Sequence, residues 1–304
     1  MVNFPWRQLP LGDEVFFDHV AWMVPDMEAA SAAFTRLGFP LTPFSPHTAA
    51  DPNGGPPIQQ GTANRLAMLE IGYLEILCAR DGIDDPLSRN VRSSLERYTG
   101  VHLVAAAVAD AEAHHARLSA AGADPLPLVG LRRVIEAEDG SEAEVSFSVV
   151  RPPLNVNPEG RMQLLTHYTP KHMWQGRYVA RDNAITALTG AMIVVDDPAE
   201  AATRLSKLFT VPEHTEGDDR ILGFSRGWMR LTTTAGLDTL LPGLTPPDSP
   251  YIAALTLASR DLDATRAFMA DRDVKLLADT ETMLAIDPSE SMGTALVVYQ
   301  NGGP

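Results

Sequence analysis

Four polar side chains stand inside otherwise apolar runs, and burying them needs a chemical reason. His19 lies in Phe17-Asp18-His19-Val20-Ala21-Trp22-Met23-Val24 and, on the two-residue period of a strand, shares a face with Ala21 and Met23. A neutral imidazole there is either a hydrogen-bonded core group or one that does chemistry, as a metal ligand or a base. Glu75 sits between Leu74 and Ile76, where a carboxylate is costly to bury unless a cation or donor satisfies it. Gln163 and His167 fall in one run with the same parity, so both are predicted to face one way. Four residues of strand put them roughly 13 Å apart, too far to share one ion. His167 is therefore predicted to be a substrate-facing acid/base group nearer the rim, or an alternative ligand. Other constellations are weaker. His114 and His115 are helical neighbours that face different ways and are expected in solvent. Ser93-Ser94 lacks the turn context of a nucleophile, and no glycine-rich phosphate loop is present. Lys171, His172 and Trp174 follow the His167 run and carry no role by placement alone.

The elements that must hold these groups recur four times. Residues 15–24 are a β-rich run closed by Pro25-Asp26. Asp26 suits the cap of a helix whose Met27, Ala30, Phe34 and Leu37 recur at helical spacing, with Gly38 at its end. Extended runs follow at 63–71 and 73–79, divided by Gly72. The same order returns at 101–108 with Asp110, at 185–195 with Asp197 and at 252–257 with Asp261. Each cap is followed by a helix and further strands, which predicts an internally repeated α+β protein. Residues 47–60, containing Asp51-Pro52-Asn53-Gly54-Gly55-Pro56-Pro57, read as a long loop expected to border the first site and to gain order with ligand. Residues 151–160 read as another Pro/Asn-rich connection. Residues 169–183 separate the second and third copies, which places a domain boundary between 1–175 and 176–304.

Composition narrows the partners. Among 304 residues, 24 Lys+Arg face 39 Asp+Glu, a formal charge of −15 that repels nucleic-acid phosphates and anionic lipid. No apolar run reaches the roughly 18–20 residues of a membrane span. The first residues lack the charged and apolar regions of a signal peptide, and the single cysteine, Cys78, excludes an intramolecular disulfide. A cytoplasmic protein with a small-molecule substrate is expected, and a homo-oligomer is compatible with it.

The sequence resembles the vicinal oxygen chelate superfamily, and in particular its glyoxalase-like branch. The resemblance is carried by residues 17–26, by Gly61-Thr62-Ala63-Asn64-Arg65-Leu66, by Gly72-Tyr73-Leu74-Glu75-Ile76-Leu77 and by Met162-Gln163-Leu164-Leu165-Thr166-His167-Tyr168-Thr169-Pro170. It implies tandem βαβββ modules, four copies here, paired into two cup-shaped eight-stranded domains. It further implies a divalent metal ion in the N-terminal cup, with His19, Glu75 and Gln163 as ligands and His167 as the catalytic group. The second module departs from the pattern, since Leu103 stands where His19 does in the first. His102 is one residue off and would need a bulge to face inward. In copies three and four Gly190 and Ala254 replace His19, Arg230 replaces Glu75, and Leu296 falls near the matching place. That half is expected to be structural or an oligomer contact.

The function so implied is a metal-dependent enzyme acting on a small oxygenated organic molecule by chelation and enolate or oxyanion stabilisation, of isomerase or lyase type. A ring-cleaving dioxygenase ranks below it, because the second histidine such a site uses is not in register. The alternative from another class is a metal-free binding protein whose cup holds a ligand against Trp22, Tyr73 and Phe147.

Overall fold

The computed structural model describes residues 7–49, 55–154 and 156–301. The first half runs β1 (Val15–Met23), α1 (Met27–Arg36), β2 (Ser45–Ala49), β3 (Ile58–Met68), β4 (Tyr73–Ala79), α2 (Pro86–Arg97), β5 (Gly100–Val108), α3 (Ala111–Ala120), β6 (Val129–Glu136), β7 (Glu142–Val150) and β8 (Arg161–His167). After the short α4 (Pro170–Met173), the second half runs β9 (Ile185–Val194), α5 (Pro198–Phe209), β10 (Glu213–Glu216), β11 (Asp219–Gly223), β12 (Trp228–Thr232), α6 (Thr234–Leu240), β13 (Tyr251–Ser259), α7 (Leu262–Ala270), β14 (Leu276–Asp279), β15 (Met283–Ile286) and β16 (Ala295–Gln300).

Each half folds into one eight-stranded sheet, in the orders β2-β3-β4-β1-β5-β8-β7-β6 and β10-β11-β12-β9-β13-β16-β15-β14. The orders are identical once the second is renumbered, so the architecture is α+β with two cups of paired βαβββ modules. The aspartates at the repeated spacing do cap their helices. Side chains of Asp26, Asp110, Asp197 and Asp261 accept first-turn amides of α1, α3, α5 and α7.

Four strands were not legible as such: β2, β6, β10 and β14. All four are outer strands of their sheets. An outer strand faces a partner on one side only and needs no apolar run. β2 carries Pro46, and β10 is Glu-His-Thr-Glu, exposed throughout. The segment 47–60, read as one long loop, is shorter. His47–Ala49 belong to β2 and Ile58–Gln60 to β3, with Thr48 opposite Gln59 and Ala49 opposite Ile58. Residues 50–54 lie outside the described residues.

One irregularity recurs. The pairing of β1 with β5 slips between Phe17 and His19 and between Ala21 and Trp22, leaving Asp18 and His102 as extra residues. The pairing of β9 with β13 slips at the matching places, leaving Thr189 and Ala253, and once more at Thr186 near the start of β9. The bulges at Asp18, His102, Thr189 and Ala253 stand at one spacing ahead of the caps Asp26, Asp110, Asp197 and Asp261. Each module thus begins with a bent strand, and bending is what curls a flat sheet into a cup.

The two faces of the first sheet differ. Its convex face carries Val20, Trp22, Leu74, Ile76, Val104 and Leu164 into a core that continues through Leu188, Ile193 and Leu255 of the second half. Its concave face carries Ala21, Leu103, Ala105, Val149 and Leu165, with Leu131 and Phe147 against them. The second cup holds Met192, Ala254 and Val297 against Leu237, Leu240 and Leu241 from α6 and its end.

Candidate active site

β1 lies parallel to β4 with His19 opposite Tyr73 and Ala21 opposite Glu75, so all four side chains share the concave face. β5 connects this pair to β8, where Gln163 stands opposite Ala105 and His167 follows with the same parity. The expected orientation of His19, Glu75, Gln163 and His167 is therefore what the registers give.

What organises them is Asp18. By parity it would point with Val20 into the convex core; as the bulged residue it turns the other way. Its Oδ2 meets His19 Nδ1 at 2.8 Å and His167 Nε2 at 3.1 Å. Asp18 is fully buried, and both histidines are 3% exposed. Burial pushes the carboxyl up, but the two imidazoles outweigh it and hold Asp18 well below the usual carboxylate range. An ionised carboxylate only accepts, so both rings donate to it. In its neutral form His19 then carries its proton on Nδ1 and offers Nε2, and neutral His167 carries its proton on Nε2 and offers Nδ1. The second carboxylate oxygen, Oδ1, is buried and has no hydrogen-bond partner among the described residues.

An aromatic wall surrounds the cluster. Tyr73 stacks on His19 with centroids 4.3 Å apart, and burial, with Asp18 and Glu75 adding to it, keeps its phenol protonated well above the ordinary value. Trp174 meets His167 edge-on at 5.2 Å and Tyr73 at 6.0 Å. Phe147 stands 6.1 Å from His167 on the other side. Trp174 comes from the strap after β8, which is tied to β6 by Gln175 Nε2 donating to the Glu136 carbonyl at 3.0 Å and by the Arg177–Glu136 ion pair at 2.9 Å.

Glu75 belongs to a second, neighbouring group. Its Oε1 accepts from Asn64 Nδ2 at 2.5 Å and lies 4.0 Å from His47 Nε2. Burial raises its pKa, but His19, His47, Asn64 and Arg133 together lower it below the ordinary value. Burial and then the Arg133 charge push His47 down to about 4, so it is neutral at pH 7. Arg133 reaches across from β6 to Ser45 Oγ and Asn64 Oδ1, both at 3.4 Å, with its guanidinium 5.8 Å from the centre of the Phe147 ring.

Of the ligand set implied by the resemblance, His19 binds Asp18 through Nδ1, which leaves Nε2 as the nitrogen that would face an ion, Glu75 accepts from Asn64, and Gln163 sits two strands from His19. Among the described residues no three His, Cys, Asp or Glu side chains are grouped as an ion site.

Several other expectations need correction. Trp22 does not line the cup. It is fully buried on the convex face against Phe34 at 5.0 Å, its indole N–H donating to the Ser291 carbonyl. His102 is bulged as Asp18 is, yet it stacks on Tyr98 at 3.9 Å and its Nε2 donates to the Tyr98 carbonyl at 2.9 Å. His114 is buried, not solvent-exposed, with Nε2 3.2 Å from the Leu208 carbonyl of the second half. The register opposes Thr256 and Val297, which makes Val297, rather than Leu296, the counterpart of Glu75 in the fourth module. Asp18, Asn64, His47 and Arg133 were missed. Only Asp18 had a visible signal, an acid beside His19 in an apolar run.

A family model described as a glyoxalase-like domain matches residues 17–209. No curated protein matches the chain. Among solved structures, a hypothetical protein from Staphylococcus aureus is similar with a TM-score of 0.65 at 10% identity, covering 94% of this chain and 99% of that one. A mutant of 4-hydroxymandelate synthase from Streptomyces coelicolor gives 0.57 at 15% identity, over 95% and 93%. A fusion of a xylose isomerase-like TIM barrel with a 4-hydroxyphenylpyruvate dioxygenase gives 0.55 at 12% identity, over 98% of this chain and 51% of that one. At these identities the likeness is one of fold.

Proposed function

We propose, from the premise that this chain belongs to the family of the glyoxalase-like domain, that its N-terminal cup moves a proton on a small oxygenated molecule, as an isomerase or lyase does. The observation that carries this is the bridging of His19 and His167 by one buried carboxylate, Asp18. With Nδ1–H held by Asp18, His19 presents Nε2 as a general base, and the carboxylate stabilises the imidazolium formed when a proton is taken. His167, donating to the same oxygen, is the second proton carrier. Arg133, half-buried on the same face, supplies the positive charge for an enolate or oxyanion. Tyr73, Trp174 and Phe147 exclude water from the reacting carbon. Because both histidines are sealed, substrate enters only when the Trp174 strap shifts.

The test is solvent deuterium exchange. The chain is incubated in D2O with a panel of 2-hydroxy ketones and 2-keto acids, and incorporation next to the carbonyl is followed by NMR. Incorporation by the native chain that falls by at least ~100-fold in His19→Ala and Asp18→Asn is expected for loss of a general base. Equal incorporation in native and variant chains, or none in any, sinks it. Elemental analysis of the purified chain and of His19→Ala reads the divalent-ion expectation separately. The metal-free binder remains the second reading, favoured by the aromatic wall, and ligand binding without exchange would select it.

A further inference from the structure

We infer that the end of the cup at Arg151 and Arg161 is an anion subsite that takes the carboxylate of an elongated organic acid, whose far end reaches His19 and His167. Arg151, Pro153, Asn157, Gly160, Arg161 and Gln163 line one small pocket there. Acids outnumber bases 39 to 24 in this chain, and arginines without an acid partner, such as Arg80, Arg133 and Arg226, donate to other acceptors, so an arginine with neither needs explaining. Arg97, Arg204, Arg230, Arg260 and Arg266 each have a carboxylate partner. Among the described residues neither Arg151 nor Arg161 has an ion pair or a side-chain hydrogen bond, and Arg151 Nε is buried without any partner. The nearest acid in the same connection, Glu159, is buried and already committed to Arg204, at 2.6 and 3.0 Å. Asn157 Oδ1 likewise accepts from Arg204.

Two like charges facing one pocket repel unless an anion lies between them, and burial raises that cost. A guanidinium fork matches a carboxylate or a phosphate through two parallel N–H donors. Arg161, Gln163, Leu165 and His167 then form one row along the concave face of β8. The row spans about 20 Å of strand, which a molecule roughly 10–15 Å long bridges once the arginine side chain leans inward. The substrate class is thereby narrowed to an organic acid, resting on the acid–base proposal above only for where the reactive end lies.

The test is isothermal titration of the full chain with a series of phenylalkanoic acids, the corresponding phenylalkanols and inorganic phosphate. One or more of the acids is expected to bind, with Arg151→Met and Arg161→Met each weakening it by at least ~10-fold and the alcohols binding far more weakly. Arg151→Lys and Arg161→Lys keep the charge and stem and lose the fork. They are expected to weaken binding several-fold with the melting temperature unchanged, which separates loss of the site from loss of the fold. No binding of any acid, alcohols binding as tightly as acids, or acid affinity unchanged in the arginine variants overturns the inference. So does binding of phosphate alone. Binding is read here without turnover, so failure leaves the proton-transfer proposal standing, and failed deuterium exchange leaves these titrations interpretable.

Discussion

Asp18 is adjacent to His19 in sequence, and two neighbours on a regular strand point to opposite faces. Their hydrogen bond exists because the strand slips by one residue at Asp18. Asp18→Asn keeps the shape but offers one acceptor oxygen in place of an ionised pair. We expect a loss of ~2–4 kcal/mol in urea unfolding, since a buried charge-assisted pair of bonds is broken. Nitrogen-detected NMR should show His19 and His167 each in one tautomer in the native chain and in mixtures in Asp18→Asn. A native chain already showing mixtures would disprove the bridging geometry. Gly72 supports the bulge from outside. Its φ is +74°, and an added Cβ would stand 2.6 Å from the Asp18 carbonyl oxygen. Gly72→Ala is therefore expected to destabilise by more than the ~1 kcal/mol typical of a left-handed alanine and to disturb the His19 tautomer.

At the scale of elements, the strap after β8 closes the site. Trp174 is 4% exposed and packs with Met68, Tyr73 and Val179, while Arg177 and Gln175 hold the strap to the end of β6. Trp174→Ala is expected to cost ~3–5 kcal/mol as a large buried aromatic, and to expose His167. Reaction of His167 with diethylpyrocarbonate should then rise sharply; an unchanged rate would mean the strap does not cover it. The hairpin of β2 and β3 forms another wall of the site, since it delivers His47 to Glu75. We expect the amides of Thr48, Ala49, Ile58 and Gln59 to exchange more slowly once an acid ligand is bound. Exchange there that ignores ligand would remove this hairpin from the site.

At the scale of the whole molecule, the two halves share one convex core, with His114 bonded across to Leu208 and the Trp22 indole across to Ser291. We propose the division at 175/176, and expect residues 1–175 made alone to lack a cooperative melt, because Leu188, Ile193 and Leu255 would be missing from that core. A cooperative melt in the fragment would show independent domains. Acid stability belongs to this scale too. His47 and His102 are both pushed down to about 4, chiefly by burial. The unfolded chain binds protons at these histidines from about pH 6.5 downward while the folded chain does not. Stability should therefore fall as pH drops from about 6.5 to about 4, by up to ~3 kcal/mol for each. The depressed Asp18 acts in a lower window: its contribution is complete above its unfolded value of about 3.9 and is lost as pH falls below it. Urea midpoints at pH 7 and pH 5 that coincide would contradict the first of these.

The helices that follow the four aspartates and the inner strands were legible in the sequence because caps and apolar periods are local, whereas α2 and α6, which lie outside the repeated spacing, were not read. Asp26, Asp110, Asp197 and Asp261 each need only the next turn of chain to act. The faces of His19, Glu75, Gln163 and His167 followed for the same reason, from the period of a single strand. The outer strands were not legible, since β10 is polar throughout and is a strand only because β11 lies beside it. Nor was the centre of the site. A bulge is a mismatch between two strands, so neither strand's sequence records it, and parity alone would have sent Asp18 into the convex core. Arg133 met Asn64, and His167 met Asp18, across separations of 69 and 149 residues. Such contacts depend on how far the sheet curls, and that was decided only when all eight strands had paired.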